Sequence, residues 1–303
     1  MSLQLEDIRT FLAVVEEGGV NAAARRLDIA RSAVSRRIAS LEAALGAALF
    51  VRSSAHLTPT EDALAFYARA ERLLLELEDA ANDLRPADAG LSGSLRVAAP
   101  VSFTLAVLSD ALIDFARAHP DLRLAIDMDD RRVDLAADGY DVGVRIGRLA
   151  DSALKARRLG VSRRVLCAAP SLLDARGRPE LPEDLQRLPT IGYANASARQ
   201  HWRFHRKDDK DEEVGVDVAP RLVVNNGEAI RDAAIAGLGA VALPHFIVGE
   251  AVLAGRLEAI LPGWTPLSAG VYAIYPPGRE TSTKVRAFID WLAARLKDHP
   301  GLA

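Results

Sequence analysis

Between Asn21 and Arg37 the chain carries five arginines and a single acid, Asp28. Guanidinium groups at that density are suited to polyanions, because each can donate two parallel hydrogen bonds to a phosphate or to O6 and N7 of a guanine. Widening the window to Ala22 and His56 adds Arg52 and Glu42, so the basic excess persists. The whole 303-residue chain has a net charge of -3, and any contact with nucleic acid must therefore come from this local patch.

Other groups with chemical potential are weaker signals. His201 and His205 in "HWRFH" stand four residues apart, the spacing of a helical metal pair, yet no glutamate follows His201 and no third ligand is evident. A histidine pair without metal is the favoured reading. Cys167 is the only cysteine, which excludes an internal disulfide, and its apolar neighbours in "RRVLCAAP" suit a buried structural thiol. "GLG" at Gly237–Gly239 follows a helical pattern instead of preceding one, so it reads as a helix stop and not as a dinucleotide loop. "RKDDKDEE" from Arg206 to Glu213 reads as a solvated loop. No G-x-S-x-G, phosphate-binding loop or nucleophile-base pair is found, so no catalytic residue, metal or cofactor is assigned.

The arginines need elements to aim them. Leu5, Ile8, Phe11, Leu12 and Val15 recur at helical spacing and stop at Gly18-Gly19; Asn21 can then cap a short helix over "AAARRL". After the break "DIA", Val34, Ile38, Leu41 and Leu45 form the stripe of a further helix ending at Gly46. Two helices joined by so short a turn make a helix-turn-helix, with Ala24 as its small residue, Asp28 tolerating positive φ in the turn, and Val34 inside the second helix. With Val34, Ile38 and Leu41 inward, Arg31, Ser32, Ser35 and Arg36 lie where a major groove would be read, and Asn21 and Arg37 flank them.

The stretch from Phe11 to Tyr67, with "AVSRRIASLE", "LG..LF.R" and "LT.TE" at matching spacing, resembles the LysR-type transcriptional regulators. The resemblance implies that the loop from Arg52 to Thr58 is a wing whose Arg52, Ser53 and His56 reach flanking DNA. This sequence departs from the family pattern at Ala30, Arg31, Ser32 and Ala55-His56, where serine, glutamine, proline and a more basic pair are common, so its DNA target is its own.

From Thr60 to Leu84 the residues Ala63, Tyr67, Ala70, Leu74, Leu77, Ala81 and Leu84 recur at steps of four and three, the seam of a coiled coil. A helix packed on its own domain would show a similar stripe; the family resemblance favours dimerisation, with assembly to tetramers common. Two-fold symmetry would pair two half-sites, so the expected DNA partner is an interrupted inverted repeat near promoters. "RPADAGLSGS", Arg85–Ser94, reads as a hinge.

Beyond Ser94 strands alternate with helices: "LRVAAP", the helix "FTLAVLSDALIDFARAHP", "LRLAIDM", a short helix over "VDLAADG" and the strand "YDVGVRIG". "RRVLCAAP" through "AVALP" repeats the alternation, and "GVYAIYP" with "STKVRAFIDWLAARL" closes the chain. Two α/β lobes with a cleft are the economical reading. The apolar run from Ala233 to Gly249 is too short and too rich in glycine for a membrane span and reads as helix, turn and strand.

The regulatory domain of the same family, built like a periplasmic binding protein, has this pattern. The resemblance carries an effector-pocket role onto Ser102, Phe103 and Thr104, onto Arg145 and Gly147, and onto Tyr193, Asn195, Asn225, Asn226, Pro244 and Phe246. Ser102 could equally be a plain helix cap and Arg145 could pair with an acid. A carboxylated or phenolic metabolite is the expected effector, since strand ends and helix N-termini favour anions.

The expected fold is thus an N-terminal all-α winged helix-turn-helix (1–60) with a dimerisation helix (61–84), a hinge (85–94) and a C-terminal α/β two-lobed periplasmic-binding-protein-like domain (95–303). Lobe I takes about 95–162 and 268–303, lobe II about 163–267. The expected function is an effector-modulated transcriptional regulator, homodimeric or homotetrameric, with RNA polymerase as a candidate partner. The acidic N-terminus lacks an export signal, so a cytoplasmic location without membrane contact is expected. A constitutive binder with a vestigial pocket, a cytoplasmic solute-binding protein, or an enzyme of the two-lobed fold are the competing readings.

Overall fold

The computed structural model describes residues 3–52, 57–82, 90–131, 133–147, 149, 153–194, 200–209 and 212–302. The chain divides into two units, Met1–Arg85 and Pro86–Ala303. In the first, α1 (Leu5–Glu16), α2 (Val20–Leu27) and α3 (Arg31–Leu45) precede an antiparallel ribbon of β1 (Phe50–Arg52) and β2 (Leu57–Pro59) and the long helix α4 (Glu61–Asn82). Phe11, Val34, Ile38, Leu41 and Leu49 share one core, which orients the helices through the apolar stripes seen in the sequence. Fully burying a side chain such as Phe11 contributes about 1.5–3 kcal/mol.

Asp28 closes α2 in the left-handed region, φ 52° and ψ 45°, and Gly46 closes α3 at φ 69°. The turn between α2 and α3 depends on the first of these, because few residues other than glycine accept that conformation. Asn21 does not cap α2, contrary to expectation: the helix starts two residues earlier than Ala22, at Val20, with Gly19 as its N-cap. Glu42 has an unforeseen role, its Oε1 accepting the amides of Leu49 at 2.7 Å and Phe50 at 3.3 Å and so tying the ribbon to α3.

The seam expected along α4 divides. Ala63, Ala70 and Leu74 are buried in the core of their own unit, with Tyr67 beside them and its hydroxyl bonded to Glu16 at 3.1 Å. Leu77 and Ala81 are exposed, as are Leu64 and Leu73, and Leu84 lies outside the described residues. A period of 3.5 identifies a buried face without identifying what buries it.

The second unit begins with β3 (Gly93–Ala99), α5 (Val101–Phe103), a π-helical turn (Thr104–Leu108), α6 (Ser109–Ala118), β4 (Leu122–Met128), β5 (Val142–Ile146) and β6 (Lys155–Ser162). There follow β7 (Arg164–Ala168), α7 (Pro170–Arg176), β8 (Ile191–Tyr193), β9 (Gln200–Arg206), β10 (Glu213–Val218), β11 (Leu222–Val224), α8 (Gly227–Ile235), β12 (Val241–Pro244), α9 (His245–Leu253), β13 (Glu258–Ala259) and β14 (Trp264–Pro266). The chain ends with β15 (Ala269–Tyr275) and α10 (Thr283–Leu296). One five-stranded sheet, ordered β4-β3-β5-β15-β6, is the floor of lobe I; β7 to β14 build lobe II. The chain therefore passes between lobes twice, from β6 to β7 and from β14 to β15.

Three local expectations differ from the structure. Residues 135–139 form turns and not a helix: Asp134 Oδ1 accepts the amides of Ala136 and Ala137 at 3.1 Å as an N-cap would, but Gly139, at φ 73°, ends the segment after a single turn. The apolar run ending at Gly249 passes from β12 into a second helix, α9, at His245. "HWRFH" is the strand β9, where residues four apart lie on one face but well separated, so the helical metal spacing does not apply. Among the described residues no helix is long and apolar enough to cross a membrane.

Candidate DNA-reading surface and effector cleft

Arg31 opens α3, and its side chain is exposed together with those of Ser32 and Arg36, while Ser35 is half-buried one turn along. Ala30, the N-cap, offers no side-chain bond to the first turn. Exposed guanidinium and hydroxyl groups on the first turns of a helix are what a major groove or a phosphate requires.

The other arginines of the basic stretch are used differently. Arg37 donates to Thr10 Oγ1 at 3.2 Å and lies 3.5 Å from Glu6 Oε2, which fastens α3 to α1. Arg26 pairs with Glu16 and Glu17 at the end of α1. Arg25 remains exposed. Asn21 is also exposed, in the first turn of α2. The side chain of Arg52, and Ser53 and His56 altogether, lie outside the described residues.

In the second unit the strand ends of both lobes converge. Ser102, buried, donates to Glu228 of α8 at 2.5 Å, a bond that links lobe I to lobe II. Phe103 packs edge-on against Phe246, ring centroids 5.4 Å apart, across the same junction. Gly227 makes room for Ser102 and Tyr193: a Cβ there would meet the Tyr193 hydroxyl at 2.8 Å and Ser102 Oγ at 3.2 Å. Asp130 accepts the amide of Val101 at 3.1 Å. Burial raises the Asp130 pKa, and the nearby charge of Glu228 raises it further. Burial also pushes Tyr193 up to about 12, reinforced by Asp130 and Glu228 and opposed by Arg164.

The remaining predicted pocket residues fall into distinct roles. Asn226 caps α8, its Oδ1 accepting the Ala229 amide at 3.0 Å, whereas Asn225 is exposed. Arg145 turns to the Val133 carbonyl at 2.6 Å. Thr104 is buried in the π-helical turn with no partner for its hydroxyl. Pro244 ends β12 opposite Arg164, and Asn195 lies outside the described residues.

Gly147 lines an open cavity of about 540 Å³ that also touches Arg164, Arg203, Leu267 and Tyr272. Its amide donates to the Gly270 carbonyl at 2.9 Å and its φ of 136° requires glycine. Sequence reasoning missed Asp130, Arg164 and Glu228. The signal for Arg164 was a charge opening an otherwise apolar strand.

Comparison with known proteins agrees with this geometry. Residues 5–64 match the family described as bacterial regulatory helix-turn-helix protein, lysR family, and residues 88–297 match the LysR substrate binding domain. The chain is 34% identical over 298 residues to the HTH-type transcriptional regulator PtxR of Pseudomonas aeruginosa, covering 98% of this chain and 95% of that one. It is 31% identical to the regulator DmlR of Escherichia coli, covering 97% and 95%. Among solved structures, the Vibrio cholerae virulence activator AphB superimposes with a TM-score of 0.61 at 27% identity, covering 96% of this chain and 99% of that one. CrgA from Neisseria meningitidis, a LysR-type regulator, gives 0.60 at 28% identity, with 97% and 99% covered. The chain belongs to the LysR family of bacterial helix-turn-helix transcriptional regulators.

Proposed function

We propose that this regulator reads an interrupted inverted repeat near promoters through Arg31, Ser32, Ser35 and Arg36, with the wing around Arg52 on the flanking phosphates. A small carboxylated or phenolic effector, bound where the lobes meet, changes lobe closure and thereby the spacing of the DNA readers in a dimer or tetramer. The observation that carries the reading is the division of labour on α3: Val34, Ile38 and Leu41 are buried while Arg31, Ser32 and Arg36 are exposed at its start.

Dimerisation uses what α4 leaves uncovered, with Leu73 and Leu77 exposed one turn apart and Ala81 following. The working location is the cytoplasm, and RNA polymerase at the adjoining promoter is the natural further partner. Sheared DNA from the source genome, retained by the purified protein at near-physiological salt and sequenced, tests the reading. A shared short inverted repeat upstream of genes supports it; retention of random fragments alone removes sequence-specific reading.

A further inference from the structure

The cavity beside Gly147 holds a charge that its surroundings do not balance. Arg164 is the first residue of β7, directly after the chain crosses from lobe I, and it lines the cavity. One nitrogen donates to the Ala242 carbonyl at 2.8 Å. Among the described residues no carboxylate pairs with it. The surrounding protein strips water from the group strongly enough to lower its pKa, with the neighbouring Tyr193 as the only opposing influence.

Among the described residues the other basic side chains of the cavity already have acidic partners. Arg203 pairs with Glu213 at 2.9 Å and His201 with Asp217 at 2.8 Å. Among the described residues that leaves Arg164 as the one cation lining this open cavity without an acidic partner. Enclosing a cation without a counter-ion is costly, and an anion supplied from outside removes the cost.

The remaining wall sets the rest of the ligand. Leu149, Pro266, Leu267 and the Tyr272 ring give it apolar surface, and about 540 Å³ accommodates a ring or a short chain. Asp130 and Glu228, which both act on Tyr193 beside Arg164, supply negative charge that opposes a second carboxylate. Both crossings between lobes border the space, Arg164 following the first and Ser268 to Gly270 lying on the second.

We propose that Arg164 is the anion anchor of the effector site and that the effector class is an organic monocarboxylate with an apolar body, seated against both inter-lobe crossings. This rests on the regulator reading and moves the principal polar contact from the residues around Ser102 to a residue outside that set. An anion there neutralises Arg164 at the hinge itself, so occupancy and lobe angle are coupled.

The test uses the full chain and a fixed panel: benzoate, cyclohexanecarboxylate and hexanoate, the neutral amide of each, phthalate as a dianion, and chloride. Calorimetry and thermal melting are run on the parent, Arg164→Met and Arg164→Gln. At least one monocarboxylate is expected to bind about tenfold or more tightly than its amide, since a charge-assisted pair is replaced by a neutral one. Both variants lose that preference, and in anion-free buffer Arg164→Met melts at or above the parent temperature, because a half-buried cation without an acidic partner has been removed.

Equal binding of every acid and its amide overturns the proposal, and that comparison needs only the parent. So does equal stabilisation by chloride, stronger binding of phthalate, or retained acid preference in the variants. A lower melting temperature of Arg164→Met in anion-free buffer assigns Arg164 a structural role through Ala242 and also counts against it. Fragment selection on genomic DNA runs in parallel: specific retention without monocarboxylate binding rejects the anchor alone, whereas failure of both rejects the regulator reading beneath it.

Discussion

Arg31 and Arg36 stand exposed on a helix, whereas Arg164 is half-buried beside a cavity and donates to the Ala242 carbonyl. The difference suits the targets proposed for them. DNA is a line of phosphates that releases counter-ions when neutralised, so its arginines must stay solvated and reachable, and each contributes modestly. A small effector presents one charge, and a cation held away from water interacts with it more strongly and discriminates acid from neutral analogue. Between these extremes, Arg26 and Arg37 bind acids of their own unit and hold α1, α2 and α3 together.

The comparison breaks most severely if the scaffold under Arg31 is removed. Val34 is fully buried in α3, and Val34→Asp should destabilise the first unit by more than about 4 kcal/mol and abolish DNA binding, measured by melting and anisotropy. Arg31→Ala should weaken specific binding by about 1–3 kcal/mol and flatten base preference. Arg52→Ala should instead weaken all sequences alike and reduce the salt slope by about one unit.

Smaller effects sharpen the other side. Ser102→Ala leaves Glu228 without its donor and should cost the second unit about 1–2 kcal/mol in a urea titration. Burial pushes the Cys167 thiol up to about 12 from 9.0, and Tyr193 up to about 12 from 10.0, so the fold favours their neutral forms. The unfolded chain ionises first, so stability should fall as pH rises from about 9 towards 12, by about 1–2 kcal/mol at pH 10. Denaturant midpoints at pH 8, 9 and 10 check the sign; a rising midpoint contradicts it. Least of all, Asp28→Gly should be neutral or stabilising by about 0.5 kcal/mol, since φ of 52° suits glycine.

The reader was largely legible because its instructions are local. The stripe of Val34, Ile38 and Leu41, the turn at Asp28 and the stop at Gly46 each act within a few residues, and all three are realised. Asn21 misled because the usual capping residue stands one position inside the helix that Gly19 begins. The first part of the α4 stripe, Ala63 to Leu74, packs on the same unit's core, which no periodicity distinguishes from a second chain.

The cleft was legible only where strand ends bring residues together, as with Ser102, Phe103, Tyr193 and Phe246. Arg164, Asp130 and Glu228 act across lobes, and their meaning depends on neighbours a hundred positions away or on the lack of one. Apart from the charge that opens the apolar strand β7, local pattern carries no trace of that.

The most direct test is the ratio of affinities for the recovered operator and a scrambled duplex of equal length, measured at one salt concentration for the parent, Arg31→Ala and Arg37→Ala. The account predicts that Arg31→Ala loses most of the ratio while retaining the parent's melting temperature, and that Arg37→Ala lowers the melting temperature of the first unit. An Arg31→Ala protein that keeps the parent's ratio would contradict the assignment of α3 as the base-reading helix.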